Sequence, residues 1–120
     1  MRDFTKLKLW QKAHHLVLDI YRSTLEFPPE ERFGLAVHLR KTATSIGSNI
    51  AEGCGRASEA ELARFMSIAA GSASEAEYQL LLARDLGYPP PRAHEDLERK
   101  INEVKKMLNS FIQKLSEAKR

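Results

Sequence analysis

Apolar residues recur along the chain at alternating steps of four and three, a spacing that keeps side chains on one side of an α-helix. Four stretches carry the pattern and predict helices over about Lys8–Glu26, Glu30–Glu52, Ser58–Leu86 and Arg92–Glu117. No stretch alternates apolar and polar residues as a strand would. The pattern therefore predicts one all-α domain over residues 1–120, an antiparallel up-down-up-down four-helix bundle.

Helix-breaking residues fall between these stretches. The prolines of Phe27–Pro29 end the first helix, because proline supplies no amide and disfavours helix in the residue before it. Gly53–Ala57 ends the second and offers a glycine for a left-handed cap. Ser58–Glu61 has the S-x-x-E form of a capping box and starts the third, which Gly87–Pro91 ends.

The second helix places polar residues where a buried seam is expected. Its predicted seam is Leu35, Leu39, Thr42, Ile46, Asn49 and Gly53. A buried polar group without a partner costs roughly 1–3 kcal/mol, so the neighbouring helix should supply polar groups. We therefore predict a buried polar network that fixes helix register and includes a contact between Asn49 and Glu75. Its members are Thr42, Asn49, Glu52, Ser72 and Glu75.

Two of these residues, Glu52 and Glu75, allow a different interpretation as a catalytic or metal site. A di-iron site in a helical bundle needs Glu-x-x-His, and no glutamate here has a histidine three positions on. Cys54 has no base beside it in sequence, so we interpret it as incidental rather than nucleophilic. We predict a protein that is not an enzyme and has neither metal nor cofactor.

The third helix is apolar over more than one side. Beside the seam that begins at Leu62 runs a second one that begins at Phe65, and Leu80–Leu82 points leucine in three directions. A helix with such a wide apolar surface is expected to be buried on more than one side, which predicts a homo-oligomer.

Composition and charge limit the remaining choices. The single cysteine excludes an intramolecular disulfide, and neither a signal-peptide pattern nor a membrane-length apolar run occurs, so we expect a cytoplasmic protein without a membrane contact. The net charge of +3 is mild but permits an anionic partner. Trp10 and Tyr21 are expected in the core and at its edge, so no aromatic platform for bases is predicted. The candidate phosphate-binding residues are Lys6, Lys8, Lys12, Arg40, Lys41 and Arg56.

Several segments together resemble a known family. These are Leu7–Ala13, Glu31–Leu35, Ser45–Arg56 and Phe65–Glu75, which cover much of the chain. They resemble the four-helix bundle protein family, which includes proteins encoded in intervening sequences of bacterial 23S rRNA genes. The family is also similar to the accessory variability proteins of diversity-generating retroelements. Gly47 stands where the family usually has proline, and Cys54 where an aromatic residue is common.

The resemblance implies a ring, typically a homopentamer, and for the retroelement members a basic ring that binds nucleic acid and a reverse transcriptase. Two hypotheses follow for this chain. The first is a ring that binds RNA or DNA electrostatically, as an accessory to an enzyme. The second is a structural or protein-interaction module that does not bind nucleic acid.

Overall fold

Four long helices make up nearly all of the protein. The computed structural model describes residues 2–118 and contains no strand in that range. A short 3₁₀-helix, Phe4–Lys6, precedes α1, and another, Pro29–Glu31, precedes α2. The four helices are α1 Lys8–Thr24, α2 Leu35–Cys54, α3 Glu59–Asp85 and α4 Pro91–Ala118.

The helices form the predicted four-helix bundle. Each helix packs against two others, in the order α1–α2–α3–α4 and back to α1, within an envelope of 48 × 21 × 20 Å. Leucine and isoleucine fill the centre from α1, α2 and α4, whereas four of the eight buried residues of α3 are alanine, which lets neighbouring backbones approach closely. The largest fully buried side chains include Leu16, Ile20, Leu39, Ile46, Ile50, Met66, Ile101 and Leu108. Among the described residues, no helix is both long and apolar enough to cross a membrane.

Side-chain caps fix the starts of α2 and α3. The Ser58 hydroxyl accepts a hydrogen bond from the Glu61 amide at 3.1 Å, so the N-cap predicted for α3 is confirmed. At α2, the Glu31 carboxylate accepts one from the Leu35 amide at 3.1 Å. A Cβ at Gly34 would lie 2.6 Å from that carboxylate oxygen, so glycine makes room for it. This cap starts α2 later than the sequence pattern predicted.

The glycines at the end of α2, Gly53 and Gly55, do not form the predicted left-handed cap. Gly55 has φ −83° and ψ −7°, an ordinary right-handed conformation. Gly53 is buried, and a Cβ there would lie 2.9 Å from the Cβ of Phe65 on α3. The glycine therefore permits a close helix crossing. The left-handed glycine within residues 2–118 is Gly87, with φ 76°, at the end of α3.

The buried seam of α2 also differs from the prediction. Ala43 and Ile50 are buried where the pattern placed Thr42 and Asn49, both of which are half-buried. The reason is a small rotation of the helix, which brings the apolar residue of each adjacent pair inward and spares the cost of burying a polar group. The observed buried positions are Ala36, Leu39, Ala43, Ile46, Ile50, Gly53 and Cys54.

Candidate nucleic-acid interface

The polar side chains between α2 and α3 make mostly local hydrogen bonds. The Thr42 hydroxyl donates to the His38 carbonyl at 2.8 Å and lies 3.4 Å from a carboxylate oxygen of Glu75. The side-chain amide of Asn49 donates to the Ser45 carbonyl at 2.7 Å. Within residues 2–118, no hydrogen bond joins Asn49 to Glu75, so the predicted buried network reduces to one weak Thr42–Glu75 contact.

Glu52 and Ser72 take no part in that contact. Glu52 is exposed and pairs with Arg56 at 2.8 Å, and Ser72 is half-buried. Glu75 lies opposite Thr42, because the two side chains are in contact. Glu52 is ten residues after Thr42 on α2, which is about 15 Å along the helix. The two glutamates therefore do not share a site. Residues 2–118 contain no cluster of three metal-ligating side chains.

Cys54 lies in the last turn of α2 and is buried. Burial raises the pKa of its thiol, and the nearby positive charge of Arg2 opposes this effect only in part. The thiolate form is therefore disfavoured at neutral pH, which is the opposite of what a nucleophilic cysteine requires.

The six candidate phosphate-binding residues do not form one cluster. The chain's start lies beside the end of α2, because the Arg2 amide donates to the Cys54 carbonyl at 2.8 Å. Lys6 and Lys8 therefore lie at the same end of the bundle as Arg56. Arg40 lies towards the other end, where it contacts Thr24, the last residue of α1.

Three of the six side chains already have partners within the chain. Arg40 donates to the Thr24 hydroxyl at 2.7 Å and lies 4.9 Å from the centre of the Tyr21 ring. Lys12 pairs with Glu103 at 3.1 Å, and Arg56 pairs with Glu52. By contrast, Lys6, Lys8 and Lys41 are exposed and make no ion pair within residues 2–118. Among the six candidates, these three lysines are therefore both exposed and without an ion-pair partner in the described chain.

A second surface that bears on function is the outer face of α3. Its exposed residues between positions 67 and 81 include only one charge, Glu75, and three large apolar side chains. Ile68 is 41% exposed, Tyr78 60% and Leu81 38%. A Cβ at Gly71 would meet nothing within 4 Å, so no contact within the described chain accounts for a glycine there. We call this surface the α3 outer face; its exposed members are Ser67, Ile68, Gly71, Ser74, Glu75, Tyr78 and Leu81.

The sequence analysis missed an aromatic cluster between α1 and α2. The rings of Trp10 and His14 stack with centroids 4.9 Å apart and an interplanar angle of 7°. Phe4 meets Trp10 edge-on at 5.0 Å. The spacing of Trp10 and His14, four residues apart on one helix, was the available signal. The rings lie in a surface groove between α1 and α2, which we call the aromatic groove. It is lined by Phe4, Trp10, His14, Val17, Thr44, Gly47, Ser48 and Ala51.

Comparison with known proteins decides the family. The profile of the family described as 23S rRNA-intervening sequence protein matches residues 5–110. The chain belongs to this family. The match confirms the resemblance drawn from the sequence segments.

A solved structure supports the same fold. It is a protein from Bacteroides thetaiotaomicron VPI-5482, described as having unknown function and as a member of the S23 ribosomal protein family. It is 27% identical to this chain, with a TM-score of 0.77 over 87% of this chain and 97% of that one. Comparison with curated proteins gives no match.

Proposed function

We propose that this member of the 23S rRNA-intervening sequence protein family is a non-enzymatic ring of identical chains that binds nucleic acid through its phosphates. In this proposal the ring acts as an accessory to a partner enzyme such as a reverse transcriptase, as the retroelement relatives imply. A homopentamer is the favoured assembly. The observation that carries the proposal is the α3 outer face.

That face has the composition of an interface rather than of a solvated helix surface. Exposed helix faces normally carry charges, whereas three large apolar side chains and a mid-helix glycine lie here. Glycine costs about 1 kcal/mol against alanine in a helix, and a second chain approaching closely would offset that cost. A second copy of this chain is the proposed occupant, because Ile68, Tyr78 and Leu81 supply apolar area and Gly71 allows a close approach.

Assembly gives weak basic patches a combined effect. One chain offers only Lys6, Lys8 and Lys41 without internal partners, and its net charge is +3. In a ring each lysine recurs on every copy, so a long polymer contacts several at once, and the avidity rises without any new type of contact. The lysines are point charges that suit phosphate oxygens and do not read base sequence.

The protein-interaction module is the second candidate, and specific residues favour it. Leu25 and Phe33, in the connection between α1 and α2, are 76% and 83% exposed. Apolar side chains with this exposure at one end of a bundle fit a protein partner. This function needs no phosphate contact, so the two candidates differ in their response to charge reversal.

A titration of labelled RNA and DNA at about 50 mM and about 200 mM salt tests the proposed function. We expect binding at the lower salt that weakens steeply at the higher, because condensed counterions are released. Lys8→Glu/Lys41→Glu should abolish most of this binding. Lys106→Glu/Lys114→Glu, on the outer side of α4, changes the net charge equally and is the matched control. Absence of wild-type binding would favour the protein-interaction module, and equal losses in both double variants would contradict the assignment of the phosphate contacts to Lys8 and Lys41.

A further inference from the structure

The aromatic groove exposes the ring of His14, while Phe4 and Trp10 beside it pack against the hydrophobic core. Trp10 is half-buried and His14 exposed, so the stacked pair lies at the edge of the bundle rather than inside it. Phe4 meets the indole edge-on. Stacked planar rings at a protein surface are the platform on which single-stranded nucleic acids place their bases.

The indole lies against α2 at the floor of the groove. A Cβ at Gly47 would lie 3.5 Å from the indole Nε1, so the edge of the indole packs against α2 at this glycine. Within residues 2–118, Arg40 makes all of the side-chain hydrogen bonds that join α2 to α1. The hydroxyls of Thr44 and Ser48, both exposed, make no side-chain hydrogen bond within residues 2–118 and remain available to a ligand.

The charges around the groove favour an anionic ligand. Lys6 belongs to the same 3₁₀-helix as Phe4, and Lys41 lies one turn before Thr44 on the exposed side of α2. Neither lysine has an ion-pair partner within the described chain. Two acidic residues lie next to the groove residues in sequence: Asp3, whose carboxylate caps the 3₁₀-helix by accepting from the Thr5 amide, and Glu52, whose carboxylate pairs with Arg56 at 2.8 Å.

We infer that the aromatic groove binds one unpaired base of a single-stranded polynucleotide, with the base against the Trp10–His14 stack and its flanking phosphates near Lys6 and Lys41. The inference rests on the proposed function and deepens it, because phosphate contacts alone do not distinguish single strands from duplexes. A duplex keeps its bases stacked inside and cannot enter the groove. The ring therefore prefers single strands.

Trp10 is the only tryptophan of the chain, so its fluorescence reports on this groove alone. The experiment titrates the full chain with labelled oligodeoxyuridylate, oligouridylate and an abasic strand that has the same number of phosphates. Anisotropy of the label measures binding, and Trp10 emission measures stacking. We expect both base-bearing strands to quench Trp10 and to bind about tenfold more tightly than the abasic strand, the order expected for one stacked base. Unequal binding of the two strands would decide between DNA and RNA as the natural source.

His14→Ala removes half of the stack at an exposed position, and His38→Ala, on the outer side of α2, is its matched control. We expect His14→Ala to remove most of the preference for bases and to leave abasic binding unchanged, while His38→Ala behaves as wild type. Circular dichroism checks that both variants fold. Equal affinity for base-bearing and abasic strands, with Trp10 emission constant, would overturn this inference and leave the proposed function standing. Trp10 emission that instead changes on dilution of the protein alone would assign the groove to a second copy and also overturn it. No binding of any strand would overturn both proposals.

Discussion

α3 and α4 are helices of 27 and 28 residues that pack side by side, yet their outer surfaces differ sharply. The exposed side of α4 has six charged residues and no large apolar side chain. Over its whole length α3 exposes five charged residues, but between positions 67 and 81, the α3 outer face, Glu75 is the one charge beside three large apolar side chains. These six charged residues are Arg92, Glu95, Arg99, Lys106, Lys114 and Glu117.

Ion pairs tie α4 to both of its neighbours. Lys105 pairs with Glu77 of α3 at 2.7 Å, and Lys100 pairs with Asp19 of α1. The carboxylates of Asp19 and, to a smaller extent, Asp96 raise the pKa of Lys100. The charged side chains of α4 therefore either form ion pairs within the chain or are exposed to solvent. The three large apolar side chains of the α3 outer face have no such partners, which is why we propose that another copy covers them.

The largest expected effect is the difference in stability between substituting a buried isoleucine of α4 and substituting an exposed isoleucine of α3. Ile101 is fully buried, so Ile101→Ala should lower the free energy of unfolding by about 2–5 kcal/mol in urea denaturation. Ile68→Ala should change the stability of the single chain by less than about 0.5 kcal/mol, and instead weaken assembly. Similar losses of stability in both variants, measured at one dilution that dissociates the oligomer, would contradict the comparison.

Two glycines provide the next comparison. Gly53→Ala puts a Cβ 2.9 Å from the Cβ of Phe65 and should lower the free energy of unfolding by about 1–3 kcal/mol. Gly71→Ala has open space and should raise the stability of the dissociated chain by up to about 1 kcal/mol, while it weakens association. Thermal denaturation and sedimentation velocity on both variants measure the two quantities. Stronger association of Gly71→Ala would show that no close approach occurs at this glycine.

A hydrogen bond from Tyr88, in the connection between α3 and α4, predicts that the stability of the fold depends on pH. The Tyr88 hydroxyl donates to Glu31, and this bond, followed by the one from the Leu35 amide, lowers the carboxyl pKa below its ordinary value of 4.5. A lowered pKa contributes stability above about pH 4.5, which is lost as the pH falls through the folded-state value. Tyr88→Phe should therefore be less stable than wild type at pH 7, with the difference shrinking below pH 4.5. A difference that stays constant down to pH 3 would show that the hydrogen bond does not set this pKa.

The smallest expected effect lies between α2 and α3. Because Asn49 bonds to the Ser45 carbonyl and not to Glu75, Asn49→Leu and Glu75→Gln should be additive within about 0.5 kcal/mol in a double-mutant cycle. A coupling energy above about 1 kcal/mol would support the Asn49–Glu75 contact that the sequence pattern predicted.

The sequence pattern predicts α4 better than α2, for a physical reason. The apolar spacing of α4 predicts a single stripe in charged surroundings, with the positions Leu97, Ile101, Val104, Leu108, Phe111 and Leu115. All of these are buried except Phe111, which is half-buried. In α2, apolar and small polar residues lie side by side, as in Thr42-Ala43 and Asn49-Ile50. Two stripes one residue apart then fit the spacing, and only packing against α3 selects between them.

The candidate site was less predictable than the fold. Basic residues are visible in a sequence, but whether a lysine has an ion-pair partner depends on helices that meet only in three dimensions, as Lys12 and Glu103 do. The aromatic groove also needs Phe4, which lies outside the helices, and Gly47 from α2. Its Trp10–His14 pair alone looks like an ordinary helix edge.

Native mass spectrometry of the wild-type protein at micromolar concentration tests the central claim most directly, because both the role of α3 and the avidity for nucleic acid depend on assembly. The account predicts a species whose mass is a multiple of the 13.6 kDa chain, with five copies favoured. It further predicts that Tyr78→Asp shifts this species to monomer, whereas Asn102→Asp on α4 does not. A wild-type protein that remains a 13.6 kDa monomer would contradict it.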